Sequence, residues 1–197
     1  MKIPLESLLR VDFLSFARKA HREIEGAKLG REPYLSYLAH EFALFAAKDT
    51  KRLLVNLLPG HLKTSLGSVS LAAWLLAHHP SLKIIIVSHA EHLSKSIARK
   101  IRFILQSDWF KGLFTTRLEK GHAEVTDFGT TRGGGVFITS FQAGFTGRRA
   151  DVIIVDDPHD IRDEFVQIEA TTATFNTGAS IATERKWSRI GNRSSRE

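Results

Sequence analysis

One stretch constrains this chain more than any other: residues 53–65, LLVNLLPGHLKTS. An apolar run, 53–58, ends at Pro59-Gly60, a tight polar turn follows, and Lys63-Thr64-Ser65 lead into a helical pattern that continues through Trp74. Strand, turn, Lys-Thr and helix make the layout of a phosphate-binding loop. Backbone N–H groups at a helix start point at the ligand, and the helix dipole favours negative charge there. Lys63 adds a compact positive charge for terminal phosphates, and the Thr64 hydroxyl is suited to a magnesium ion. The spacing departs from G-x-x-x-x-G-K-[ST]: Leu57 and Leu62 occupy the two glycine positions, and only Gly60 supplies backbone freedom. A side chain at Leu62 crowds the turn if that position needs a positive φ. An ordinary turn before a helix has the same layout, so the rest of the chain must decide.

The surrounding pattern is α/β. Residues 1–50 read as a helical segment: Leu8, Leu9, Phe13, Phe16 and Ala17 recur at helical spacing, a break spans Gly26 to Pro33, and a second helix is expected from Tyr34 to Ala47. This segment is expected to pack over a sheet. Residues 53–58 are nearly all apolar, as in a strand buried on both faces. The helix after the loop should stop at His78-His79-Pro80, because proline cannot continue it. KIIIVS, 83–88, is the next strand, and Ser88-x-x-Glu91 reads as a capping box opening another helix. That helix carries Ile97, Ile101, Ile104 and Leu105 on one stripe. Lys95, Arg99, Lys100 and Arg102 fit a solvated face better than a DNA contact. Strand–helix–strand rhythm implies parallel strands and right-handed crossovers. Trp109, Phe110, Leu113 and Phe114 should enter the core. Residues 123–128 and 135–140 read as strands joined by a hairpin turn through Thr130-Thr131-Arg132-Gly133-Gly134.

The second chemical feature is DVIIVDD, 151–157, an apolar strand ending in Asp156 and Asp157 after a glycine-spaced run closing on Gly147-Arg148-Arg149. Ligands of open parallel sheets bind outside the carboxyl ends of the strands. Alone, Asp156-Asp157-Pro158 reads as a cap or turn. Downstream of a Lys-Thr loop, the acidic pair is what a magnesium–nucleotide site needs: one carboxylate for the metal, its neighbour for the attacking water.

Composition sets the limits. The chain has 197 residues, 43% of them hydrophobic, enough for one domain with a real core. A net charge of +7 suits a polyanionic partner. The absence of cysteine excludes disulfides, thiolate zinc sites and cysteine nucleophiles, and fits a reducing cytoplasm. Apolar runs are too short to span a bilayer, so no membrane role is expected. Residues 171–197 carry five basic and two acidic residues with no sustained period, and read as a divergent, disordered tail.

Three motifs in order, over roughly 37–163, give the chain a resemblance to the ATPase half of the tailed-bacteriophage terminase large subunit. LLVNLLPGHLKTS is similar to that family's apolar strand and Pro-Pro-x-His-Gly-Lys-Ser loop. KIIIVSHAEHLSKSIARKIR resembles its second strand and the basic helix after it. GFTGRRADVIIVDDPHD resembles its glycine–arginine loop running into Asp-Asp-Pro.

The resemblance implies a P-loop NTPase-type, mostly parallel sheet flanked by helices over 51–170, incomplete on its C-terminal side, without the family's nuclease domain. It implies ATP hydrolysis with Mg2+ coupled to translocation of double-stranded DNA, in the bacterial cytoplasm, by a homo-oligomeric ring working with a portal and a small terminase subunit. Pro59, Gly60, His61, Leu62, Lys63, Thr64 and Ser65 would bind nucleotide. Thr64 and Asp156 would hold the metal, Asp157 would position the water, and Arg148 or Arg149 would stabilise the transition state, within the subunit or in a neighbour's site.

The family places a later strand between its loop strand and its Asp-Asp strand, and both would lose ladder partners without it. A shifted reading frame near residue 170 would account for the change of character there. The alternatives are a non-catalytic remnant that keeps only the fold pattern, and a helicase-like ATPase, against which the Asp-Asp-Pro ending argues.

Overall fold

The computed structural model describes residues 4–58, 60–121, 124–141, 143 and 147–157. The expected tail, 171–197, and Pro59 lie outside the described residues.

The N-terminal segment forms three helices: α1 (Leu5–Val11), α2 (Phe13–Glu25) and α3 (Pro33–Ala46). The first helical pattern is split at Asp12, whose carboxylate accepts the Ser15 N–H at 2.7 Å and caps α2. Gly26, at φ 68°, ends α2 in the left-handed conformation that glycine adopts without a Cβ clash. After the lysine-bearing loop, residues Thr64–Ser70 wind as a π-helix that runs into α4 (Leu71–His78). Then follow β1 (Lys83–Ser88), α5 (Glu91–Gln106), the short α6 (Asp108–Leu113), β2 (Asp127–Gly129), β3 (Gly135–Ser140) and β4 (Val152–Asp156).

The sheet is α/β in character: four strands in the order β2-β3-β1-β4, mostly parallel and flanked by helices. β1 lies parallel to both β3 and β4, while β2 and β3 form the expected antiparallel hairpin. Ser88 pairs in register with Ser140 on one side and Asp156 on the other. Three polar residues therefore line the carboxyl ends of three adjacent parallel strands.

Two expectations require correction. Residues 53–58 alternate inward and outward but join no sheet. Leu53, Val55 and Leu57 pack on the core, while Leu54 and Leu58 are 67% and 70% exposed. The apolar composition is real, but no ladder partner lies beside this segment among the described residues. Ser88 does not cap α5 either. The residue before the helix is Ala90, and the Ser88 hydroxyl instead bonds the Ala90 carbonyl and the Ser94 hydroxyl, at 3.1 and 2.9 Å. Glu91 is left on the first turn, where it pairs with Lys95 at 2.7 Å. Three of the basic residues of α5 are engaged within the chain: Lys95 with Glu91, Lys100 with Glu25 of α2, and Arg102 with the Glu124 carbonyl.

The core lies between the N-terminal helices, α4, α5 and one face of the sheet. Ile84, Ile86, Val136 and Ile138 alternate onto that face, as the two-residue strand period requires. Phe16 is the hub. Its ring meets Trp74, Trp109, Phe110 and Phe114 in edge-to-face contacts with centroids 5.2–6.4 Å apart. Phe13 adds Phe42 and Trp74, both at 5.7 Å. Gly67 permits this packing next to the loop, because a Cβ there would meet the Phe42 ring at 3.2 Å. Phe110, Leu113 and Phe114 are buried and Trp109 packs against them, as their apolar character predicts.

Phe16→Ala should remove the hub and lower the unfolding free energy by about 3–5 kcal/mol in a urea titration. A loss under about 1 kcal/mol would mean that the N-terminal helices contribute little to the core.

Candidate functional site

The loop before the π-helix is shaped by two left-handed residues, Gly60 at φ 80° and Leu62 at φ 63°. Glycine takes that conformation freely; leucine pays roughly 1–2 kcal/mol for it. The position that lacks its expected glycine therefore has the glycine geometry. Leu62 is held there because its side chain packs on the core and its carbonyl accepts the Leu66 N–H at 2.9 Å. Lys63 follows in right-handed conformation, and its ammonium turns back to donate to the Leu57 carbonyl at 2.7 Å.

Thr64 opens the π-helix, and its hydroxyl donates to Oδ1 of Asp156 at 3.1 Å, across 92 residues of sequence. Asp156 ends β4 and is only 8% exposed. Burial pushes its carboxyl pKa up. The hydroxyls of Thr64 and Ser68 oppose that shift by hydrogen bonding, Asp157 adds to it through like charge, and Lys63 opposes it. The lysine, the threonine and both carboxylates thus act on one another, as the motif order suggests.

Ser68 is a residue that sequence reading missed. Thr64 and Ser68 are four apart at the start of a helix, a spacing that puts both on one face. His89 is a second. It follows the last residue of β1, and its Nδ1 lies 3.1 Å from the Asp157 carbonyl. Its place at a carboxyl strand end was the available signal. Two contacts tie the N-terminal helices to the loop: His21 Nδ1 lies 3.3 Å from the Ser65 hydroxyl, and the Tyr34 and His61 rings stand 5.5 Å apart.

The two arginines are placed elsewhere. Arg148 lies over the Phe137 ring, 3.7 Å from its centroid, and pairs with Asp127 at 2.9 Å. Phe137 is in register with Ile85, in the middle of the sheet, and Asp127 is on β2, the strand furthest from β4. Arg149 lines the same open cavity of about 300 Å3, with Lys83 and Gly133–Gly135. The structure unites Lys63, Thr64, Asp156 and Asp157, but brings neither arginine to them.

Among the described residues no group of three or more His, Cys, Asp or Glu side chains could hold a metal. A magnesium bound through phosphates and water needs only one or two protein oxygens. The Thr64 hydroxyl and Asp156 carboxylate fit that role, and the raised pKa marks a carboxylate that gains from a nearby cation.

Because the folded-state pKa of Asp156 is raised, the folded chain holds its proton more tightly than the unfolded chain. Stability from this group is greatest below the unfolded pKa, about 4, and is lost as pH rises through the folded value. Asp156→Asn removes that ionisation. Its melting temperature should match the wild type near pH 4 and exceed it at pH 7, by calorimetry; a lower value at pH 7 would mean that the charge is well compensated in the fold.

Neither the protein-family models nor the curated proteins compared with this chain give a match, so the site stands on its own geometry.

Proposed function

We propose that this chain is a P-loop-type ATPase domain, a DNA-packaging motor like the terminase large subunit, which hydrolyses ATP and couples it to movement of double-stranded DNA. The observation that carries the reading is the Thr64–Asp156 hydrogen bond, which joins the Lys-Thr loop to the acidic strand end. The mostly parallel sheet supports it, because Asp156 stands at the carboxyl end where ligands of such sheets bind.

Each residue then has a task. The Lys63 ammonium leaves the Leu57 carbonyl for the β- and γ-phosphates, one acceptor exchanged for a charged one. The loop N–H groups at the start of the π-helix face the phosphates. Thr64 and Asp156 hold magnesium, which when bound neutralises charge on the phosphate oxygens. Asp157 orients the attacking water. Arg148 or Arg149 supplies transition-state charge. With Arg148 engaged on Phe137 and Asp127, that charge is best delivered to a neighbouring subunit of a ring. The net charge of +7 suits DNA as partner, and the bacterial cytoplasm is the setting.

A second reading, a nucleotide-binding remnant without turnover, is favoured by Leu62, since a left-handed leucine is costly to rearrange around a phosphate, and by residues 53–58, which join no sheet. Thermal unfolding with magnesium and a non-hydrolysable ATP analogue tests the site itself. Ligand at about 100 times its dissociation constant should add roughly 2.7 kcal/mol, and Lys63→Ala should abolish the gain. No gain in the wild type overturns both readings. Phosphate release with double-stranded DNA separates them: turnover in the wild type supports the motor, and turnover only in Leu62→Gly supports the remnant.

A further inference from the structure

We infer that His89 is a positioning residue: its Nδ1–H, bonded to the Asp157 carbonyl, holds the left-handed backbone that aims the Asp157 carboxylate. This rests on the ATPase reading and adds to it a residue from a different strand.

Asp157 leaves β4 at φ 47°, a left-handed conformation that a residue with a Cβ adopts only when something holds it. The bond from His89 is such a hold. It is set on a fixed base, because the turn carrying His89 is pinned on both sides. The Ser88 hydroxyl meets Ser94 of α5 at 2.9 Å, and the Ser94 hydroxyl donates to the Thr139 carbonyl of β3 at 2.9 Å, with the Ala90 carbonyl 3.3 Å away. Ser88 is in register with Asp156, so His89 and Asp157 are the next residues of two neighbouring parallel strands. The ring therefore bridges β1 to β4 where the ladder ends.

The chemistry of the contact is one-sided. A carbonyl only accepts, so Nδ1 must carry the proton, and it does so in the neutral Nδ1–H tautomer and in the imidazolium alike. The tether is thus independent of the ring's charge. An asparagine amide, whose nitrogen branches at the same depth as Nδ1, can replace it.

The test uses the full chain, with steady-state ATP hydrolysis in magnesium and titration with a non-hydrolysable ATP analogue. His89→Ala should lower kcat about 10- to 100-fold, as loss of orientation does. Analogue affinity should stay within about twofold, since no binding group uses the contact, and the melting temperature should fall only slightly, since the contact is one exposed hydrogen bond. His89→Asn should recover most of the lost kcat.

An unchanged kcat in His89→Ala, in a wild type that turns over, sinks this inference and leaves the ATPase reading intact. A parallel fall of kcat, affinity and melting temperature, or an Asn variant no better than Ala, overturns it as well by making the contact merely structural. Where only Leu62→Gly turns over, the same variants are read in that background. A chain that hydrolyses ATP in neither background overturns both the reading and the inference.

Discussion

Burying a carboxylate is unfavourable unless other groups replace the water it loses, and most of the site follows from how this chain buries Asp156. The replacements are two hydroxyls from one helix, Thr64 and Ser68. They can reach β4 only if the π-helix starts against the end of that strand, which fixes where the lysine loop must sit. The hydroxyls lower the cost of the charge without cancelling it, and Asp156 keeps a raised pKa. A chain selected for stability alone would place a neutral residue there. Local conflict of this kind, in an otherwise consistent fold, is what a functional site looks like.

Much of the fold could be read from periodicity. The helices of the first fifty residues, α5, the β2–β3 hairpin and the strands 83–88 and 152–156 follow apolar spacing that local physics enforces. Residues 53–58 show where that legibility ends. Apolar composition reports burial, and Leu53, Val55 and Leu57 do pack inward. It does not report hydrogen-bond partners, which come from distant sequence. A segment can therefore carry a strand's side chains and still lack a ladder. The same applies to the outer edge of β4, where Val155 is 50% exposed and β1 is the sole partner among the described residues.

The site was partly legible for a similar reason. Lys63, Thr64, Asp156 and Asp157 belong to motifs whose spacing is local, and the structure brings them together. Ser68 lies outside the motifs, and His89, though inside the second one, carries no assigned role in it. Their roles depend on helix register and on which strand neighbours which, and β1–β4 adjacency joins residues about 70 positions apart. The capping-box reading at Ser88 failed on the same ground. The serine had a tertiary partner in Ser94, itself bonded to β3, and that network outweighs a solvent-facing cap.

Leu62 joins the energetic and chemical sides of the molecule. Its left-handed backbone puts the lysine at the start of the π-helix, and a glycine there would do so without strain. The leucine, however, also packs its side chain on the core beneath the loop. Burying such a side chain is worth about 1.5–3 kcal/mol when complete, comparable with the left-handed penalty of about 1–2 kcal/mol. The two terms nearly cancel, so the fold can tolerate the substitution. The loop cannot gain from both at once. Any movement that opens the loop, as the proposed phosphate binding requires, gives up packing while keeping the strained backbone, whereas a glycine loop gives up neither. Anchoring by leucine thus favours the closed loop seen here, with Lys63 folded onto Leu57, over an open one.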